Sequence, residues 1–145
     1  MNILVQKYGG SSVADMPRLK KVARRIIGAK EAGYQVVAVV SAQGDTTDEL
    51  LGKAREISQS PPKRELDMLL STGEQISIAL LAIAIAEEGH GVISLTGAQG
   101  GICTDGLYTR AKILRVDPAR VSKELSEGRI VIVAGFQGIN DLGDI

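Results

Sequence analysis

A lysine, two glycines and two serines follow the first apolar run of the chain, in the segment Lys7-Tyr8-Gly9-Gly10-Ser11-Ser12. Adjacent glycines allow backbone N–H groups to approach an anion closely, and the N-terminus of a following helix adds a favourable dipole. A lysine fixed at the end of a strand can neutralise charge on a transferring phosphoryl group. A plain glycine turn beside a surface lysine explains the same residues about equally well. The segment is neither a P-loop nor a dinucleotide-binding fingerprint, so by itself it leaves both interpretations open.

A second polar loop, Ser41-Ala42-Gln43-Gly44-Asp45-Thr46-Thr47, follows another apolar run. A serine, a glycine and two threonines at the end of a strand can bind a small anion through hydroxyl and amide hydrogens. Thr46 and Glu49 also have the spacing of a helix capping box, which alone would explain their presence. Both roles stay open, since one threonine can cap the helix while its neighbour faces a ligand.

Glu74 is the third candidate, because it interrupts an apolar stripe formed by Leu70, Ile78 and Leu81. A carboxylate on the buried side of a helix needs a cation or several hydrogen-bond donors around it. That partner is either a ligand or a second side chain in a structural ion pair, and the sequence does not decide between them.

The elements that must position these residues follow from apolar periodicity, which alternates between strand and helix. The pattern predicts a short buried strand at Ile3–Val5 and buried strands at Val36–Val40, Val92–Leu95 and Ile130–Ala134, with a further short strand within Ala111–Val116. It predicts helices from an Asp15 N-cap to a stop at Gly33, from about Thr46, from about Glu65 to Glu88, and over Pro118–Ser126. The fold class is therefore α/β, with a mainly parallel sheet and helices on both faces. Ligands bind such sheets beyond the carboxyl ends of the strands, where the loops 7–12, 41–47 and 135–138 fall.

Composition excludes some classes of function. Lys plus Arg is 17 and Asp plus Glu is 17, so 17 − 17 leaves no net charge and disfavours a nucleic-acid partner. The single cysteine, Cys103, excludes an internal disulfide and favours a reducing, cytoplasmic location. The most apolar window, Ile76–Ala86, is shorter than the roughly 20 residues of a membrane span, which favours a buried helix and no membrane partner.

Four stretches, taken in order, resemble the aspartate kinases, which are members of the amino acid kinase superfamily. They are QKYGGSSV, VVSAQGDTTDELL, RELDMLLSTGEQIS and VAGFQG, and the resemblance covers essentially the whole chain. It implies transfer of the ATP γ-phosphoryl group to the β-carboxylate of L-aspartate, giving an acyl phosphate, the first step of lysine, threonine and methionine biosynthesis. Attack would be direct and in line, with Mg²⁺ between the phosphates and no covalent enzyme intermediate.

The resemblance also implies roles for individual residues. Lys7 would be catalytic, and Glu74 would bind the α-ammonium group of aspartate. The residues that would hold ATP are Lys7, Tyr8, Gly9, Gly10 and Ser41, and those that would hold aspartate are Ser12, Thr46, Thr47, Glu74 and Phe136.

The sequence departs from the family pattern in two places. Gln43 stands where the family usually has methionine, which we interpret as a packing difference. The chain ends at Ile145, before the family's T-T-L-G-R-G-G-S-D-T-T-A motif would begin. We therefore expect residues 1–145 to form the N-terminal portion of an amino acid kinase αβα sandwich, incomplete at its C-terminal side. The nucleotide-binding half and the regulatory ACT domains would be absent, and we expect no turnover by this chain alone.

Two alternatives remain from the sequence. One is another kinase of the superfamily that acts on glutamate, acetylglutamate or a nucleotide, although the second and third motifs favour aspartate. The other is a non-catalytic half-domain that pairs with a partner chain, because an unfinished sheet edge invites pairing. The long apolar helix is also a candidate interface for a homo-oligomer.

Overall fold

A computed structural model describes residues 2–145, and its secondary structure follows the predicted alternation. The strands are β1 (Ile3–Tyr8), β2 (Gln35–Val40), β3 (Val92–Leu95), β4 (Ile102–Thr104), β5 (Ile113–Val116) and β6 (Ile130–Ala134). The α-helices are α1 (Met16–Glu31), α2 (Thr46–Ile57), α3 (Lys63–Glu87) and α4 (Ala119–Ser126). A short 3-10 helix, Gly10–Val13, lies between β1 and α1.

Four of the strands form one parallel sheet, as predicted, and their order in the sheet is β1-β2-β6-β3. Its register aligns Lys7 with Val39 and Val39 with Val133. The remaining strands, β4 and β5, form a separate antiparallel hairpin between β3 and α4. The carboxyl ends of β1, β2 and β6 therefore lie side by side, which brings the three polar loops to one edge of the sheet.

Helices cover both faces of the sheet, which confirms the predicted layers. On one face, α1 and α3 pack side chains such as Ile26 and Leu81 against Val36 and Ile132, all of them fully buried. On the other face, α4 places Leu125 against the β6 residue Val131. The core is therefore divided by the sheet, and the larger part lies beneath α1 and α3.

The prediction that Ile3–Val5 is a buried strand was wrong for one face of the sheet. Ile3 is 58% exposed and Val5 is 63% exposed, whereas Leu4 between them is half-buried. The cause is the position of β1 at the edge of the sheet, because α4 packs over β6 and β2 separates β6 from β1. An apolar triplet predicts a strand but not which neighbours cover its second face.

The start of α1 agrees with the prediction in detail. The Asp15 carboxylate accepts a hydrogen bond from the Arg18 backbone N–H at 2.8 Å, and Pro17 lies in the first turn. Beyond the last helical residue, Gly33 adopts φ +95°, a conformation that favours glycine. The residues near each end of α1 were therefore sufficient to predict where the helix begins and ends.

The start of α2 differs from the predicted capping box. The N-cap is Asp45, so Thr46 is the first helical residue, and no side chain caps this end. A capping box needs its threonine at the N-cap position, and the helix begins one residue too early for that. The threonines of this loop are thus not explained by capping.

By length and composition, α3 could cross a membrane, which the shorter apolar window did not predict. A helix in the core of a folded domain can have the same length and apolar composition. Ile78, Leu81 and Ile85 are buried against α1 and the sheet, so the packing of α3 matches that second case.

Candidate functional site

A cavity of about 820 Å³ opens at the carboxyl ends of β2 and β6. Its floor includes Val39 and Val133 on the sheet, and its sides include Ser41 after β2 and Gly135 after β6. Two turns of α3, from Asp67 to Glu74, and residues of the β4–β5 hairpin also line it. The predicted convergence of strand ends on one pocket is therefore found.

Glu74 reaches this cavity from α3 and is buried, with 8% of the residue exposed. Burial raises the pKa of its carboxyl group, while the Ala42 amide and the Gln137 side chain act in the opposite direction. Among residues 2–145, no basic side chain lies within salt-bridge distance of Glu74. The structural ion pair that the sequence left open is thus not formed within these residues, and the carboxylate is available to a cationic ligand.

Lys7 lies at the rim of the cavity. Its side chain is on the same face of the sheet as the cavity residues Val39 and Val133, because the three are aligned across the parallel strands. Lys7 is exposed and does not itself line the cavity, but its Nζ lies 5.4 Å from the ring centroid of Phe136, which does. The pair places a cation at the mouth of the pocket.

The two glycines of the first loop have different surroundings. A Cβ on Gly10 would lie 2.6 Å from the Ala42 carbonyl oxygen, and the Gly10 carbonyl accepts a hydrogen bond from the Gly44 amide at 3.0 Å. A Cβ on Gly9 would meet nothing within 4 Å. Gly10 therefore permits the first and second loops to touch, and it is the one that lines the cavity.

Some of the residues implied by the resemblance lie elsewhere. Tyr8 is buried on the opposite face of the sheet, where its hydroxyl donates to Gln6 Oε1 at 3.1 Å. Tyr8 and Ser12 border a separate cavity of about 440 Å³ beside α1. Thr46 lies against Gly73 of α3, whereas its neighbour Thr47 lines the main cavity. Of the implied set, the main cavity is lined by Gly10, Ser41, Thr47, Glu74 and Phe136.

The structure adds residues that sequence reasoning missed. Asp67 on α3 lines the cavity, and its carboxylate accepts a hydrogen bond from the Thr109 backbone N–H at 2.7 Å. Gln137 donates through Nε2 to the Ser71 carbonyl at 3.2 Å, which ties the loop after β6 to α3. Helical spacing contained a signal for Asp67, since it precedes Glu74 by two turns and shares its face. The hairpin residues Thr109 and Arg110 carried no comparable signal.

Within residues 2–145, no three His, Cys, Asp or Glu side chains come together in a way that could hold a metal ion. These residues therefore do not build a protein cage for Mg²⁺. A magnesium ion bound mainly by nucleotide phosphates and water needs no such cage.

The family model described as the amino acid kinase family matches residues 2–145.

The chain belongs to the amino acid kinase family.

Relatives within the amino acid kinase family are aspartokinases. The chain is 56% identical over 140 residues to the aspartokinase of Mycolicibacterium smegmatis, covering 97% of this chain and 33% of that protein. It is 53% identical over 145 residues to the aspartokinase of Geobacillus stearothermophilus, covering 100% of this chain and 36% of that one. The chain thus spans about a third of the length of these relatives.

Solved structures of the family agree. A crystal structure of aspartate kinase from Synechocystis superimposes with a TM-score of 0.83 at 48% identity, covering 98% of this chain and 23% of that chain. Aspartokinase III of E. coli, in complex with aspartate and ADP, gives a TM-score of 0.84 at 19% identity, covering 99% of this chain and 42% of that chain. The second likeness shows the fold alone.

Proposed function

We propose that this chain provides the amino-acid-binding part of an aspartate kinase, which transfers the ATP γ-phosphoryl group to the β-carboxylate of L-aspartate. The observation that carries the proposal is the buried Glu74 carboxylate, which has no basic partner within residues 2–145 and faces a cavity at the strand ends. Burial of an unpaired carboxylate is unfavourable, and an incoming ammonium group compensates for it. The aspartokinase relatives support the choice of amino acid.

In this proposal the groups around the cavity divide the work. Glu74 accepts the α-ammonium group of aspartate, and Thr47 and Ser41 donate hydroxyl hydrogens to anionic oxygens. Lys7, held at the rim beside Phe136, neutralises charge that develops on the transferred phosphoryl group. The β-carboxylate of aspartate attacks the γ-phosphorus of ATP directly and in line, and ADP leaves. No covalent enzyme intermediate forms, and ATP enters as its Mg²⁺ complex. The acyl phosphate formed would be the first intermediate of lysine, threonine and methionine biosynthesis.

Trapping of the acyl phosphate tests the proposal. The full-length gene product is incubated with MgATP and hydroxylamine, and hydroxamate is measured with aspartate, glutamate and acetylglutamate as acceptors. We expect aspartate to be the preferred acceptor. Preferred use of another carboxylate, or of a nucleoside monophosphate in an ADP-release assay, would assign the chain to a different kinase of the family.

We further propose that residues 1–145 alone do not turn over substrate. The T-T-L-G-R-G-G-S-D-T-T-A motif of the aspartate kinases lies outside these residues, and that motif supplies further contacts to both substrates. A coupled ADP-release assay on the isolated chain, with MgATP and aspartate, checks this. Robust turnover would refute it.

A homo-oligomer built through α3 is a second proposal, supported by the exposed side of that helix. Ile76 is 51% exposed and Ile83 is 66% exposed, and they lie on a stripe with Thr72, Ala79 and Ala86 that carries no charge. An uncharged apolar stripe over several helical turns is a feature of helix–helix interfaces.

A further inference from the structure

The second cavity, of about 440 Å³, lies beside α1 and shares no lining residue with the main cavity. One of its walls belongs to the hydrophobic core, because Tyr8 at the end of β1 and Val22 of α1 are both buried there. The Tyr8 hydroxyl is held within β1 by its hydrogen bond to Gln6. Ser11 and Ser12 of the 3-10 helix add hydroxyl groups to the lining.

The wall that α1 contributes is basic. Arg18, Lys21 and Arg25 line the cavity, and their spacing of three and four residues places them on one side of the helix. Arg18 is anchored at the 3-10 helix, because its Nη1 donates to the Ser11 carbonyl at 3.3 Å. Burial raises the pKa of the Tyr8 hydroxyl and the charge of Arg25 acts in the opposite direction, so the Arg25 guanidinium lies close to the tyrosine wall.

Acidic side chains leave most of this charge uncompensated. Asp15 lies 3.6 Å from Arg18, and both side chains are more than half exposed. Within the part of the chain that the structure describes, no carboxylate lies within salt-bridge distance of Lys21 or Arg25. Among the same residues, no aspartate or glutamate lines the cavity. The cavity is therefore a concentration of positive charge in a chain whose net charge is zero.

The sequence of α1 adds to this charge. The residues three and four positions from Lys21 are Pro17, Arg18, Arg24 and Arg25, so three of the four are basic. Like charges at these spacings destabilise a helix, and glutamates at the same positions would have stabilised it. An anion bound between the cations would relieve the repulsion, which is what a binding site for a charged ligand requires.

We propose that this cavity binds a phosphate group, either as inorganic phosphate or as the end of a small phosphate monoester. Two guanidinium groups and one ammonium group supply charge-assisted donors, and the serine hydroxyls supply further ones. A phosphate group accepts from several directions at once and carries up to two charges, which suits three cations better than a single carboxylate does. The site is distinct from the cavity of the proposed function, so the inference does not depend on that function.

Isothermal titration of the full-length gene product tests the proposal. Inorganic phosphate and glycerol 3-phosphate are titrated separately, each with and without saturating MgADP. We expect saturable binding that persists in the presence of MgADP, because the two cavities have no lining residue in common. Tighter binding of glycerol 3-phosphate would support a monoester as the ligand, and tighter binding of inorganic phosphate would support the free ion.

Neighbouring basic residues of α1 provide matched controls. Lys21→Ala and Arg25→Ala should each weaken phosphate binding about tenfold, the loss typical of one charge-assisted hydrogen bond. Lys20→Ala and Arg24→Ala remove the same charges from exposed positions that do not line the cavity, so they should change the affinity by less than about twofold. All four side chains are exposed, so none of these variants removes a group from the core.

Three results would overturn the proposal. Absence of saturable binding of both probes would reject the site, and equal losses in Arg24→Ala and Arg25→Ala would show only a diffuse attraction to the charge of α1. Displacement by MgADP, or loss of binding in Lys7→Ala, would place the phosphate in the main cavity. Sodium acetate that binds as tightly as phosphate would reject the assigned ligand class. None of these results depends on hydroxamate formation, which tests the proposed function separately.

Discussion

The ammonium group of Lys7 lies 5.4 Å from the centre of the Phe136 ring. Lys7 lies in β1 and Phe136 follows β6, and β2 lies between these two strands in the sheet, so the contact reaches across the end of β2. A cation over an aromatic face is attracted to it by roughly 0.5–1 kcal/mol at an exposed site. The interaction holds a flexible side chain at the cavity mouth without burying its charge.

Removing the Lys7 ammonium tests its catalytic role. Lys7→Ala in the full-length gene product should lower kcat/KM for MgATP-dependent phosphorylation by about 10²-fold or more, the scale on which lost transition-state charge stabilisation is felt. Lys20→Ala, on the exposed side of α1, is the matched control and should leave kcat/KM unchanged. A reduction of less than about threefold in Lys7→Ala would argue against the proposed role.

Glu74 should make the stability of the chain depend on pH. Because burial raises its pKa in the folded state, the folded chain holds that proton more tightly than the unfolded chain does. The free energy of unfolding should therefore fall as pH rises from the ordinary carboxyl pKa through the raised one. Glu74→Gln should abolish this fall and be more stable than the wild type at neutral pH without ligand.

Urea unfolding at a series of pH values measures this effect, with Glu56→Gln on the exposed side of α2 as the control. The same Glu74→Gln variant should bind aspartate more weakly, which isothermal titration of the full-length gene product would show. Identical pH profiles for Glu74→Gln and the wild type would contradict the assignment.

The two glycines of the first loop offer a matched pair. Gly10→Ala forces a methyl group against the Ala42 carbonyl, so it should lower the free energy of unfolding by about 1–3 kcal/mol, as overpacking does elsewhere. Gly9→Ala has open space and an allowed φ of −76°, so its stability should stay close to that of the wild type. Equal losses in the two variants would show that the contact between the loops does not matter.

A charged substitution in the exposed stripe of α3 tests whether this stripe forms an oligomer interface. Ile83→Glu in the full-length gene product should shift sedimentation velocity profiles toward a smaller species, because it would bury a carboxylate in the interface. Ile57→Glu, at a residue of α2 that is 89% exposed, should not shift them. An unchanged profile for Ile83→Glu would place the interface elsewhere.

Much of the fold could be predicted because it depends on continuous apolar runs and on contacts between residues close in sequence. The strands β2 and β6 are buried on both faces, and their sequences are continuous apolar runs, a pattern typical of buried parallel strands. The start of α1 was specified by one side chain, Asp15, that bonds to a backbone three residues away. Such features do not depend on distant parts of the chain.

The site was harder to predict where the outcome depended on the face of a strand. Lys7 and Tyr8 are adjacent in sequence, and the resemblance gave both to ATP. Successive side chains of a strand point to opposite faces, so Lys7 lies on the cavity side and Tyr8 lies in the core beneath α1. The roles of Tyr8, Ser12 and Thr46 in ligand binding stay predictions.

The hairpin residues were missed for another reason. Arg110 reaches the cavity only because β4 and β5 pair outside the main sheet and their turn is fastened to α3. That arrangement joins residues that are far apart in sequence. Such a contact between distant segments exists only in the folded chain.

Phe136 has φ +57°, yet the residue is 84% exposed. Glycine would adopt that backbone conformation without the penalty of about 1–2 kcal/mol that an L residue incurs there, and so little of the ring is covered that packing offsets the penalty poorly. The empty protein is therefore weakened by having an aromatic residue at this position. Phe136→Gly should give a chain that melts at a higher temperature and binds its substrates less tightly. The aromatic residue at this position would then lower the stability of the fold and raise its affinity for substrate.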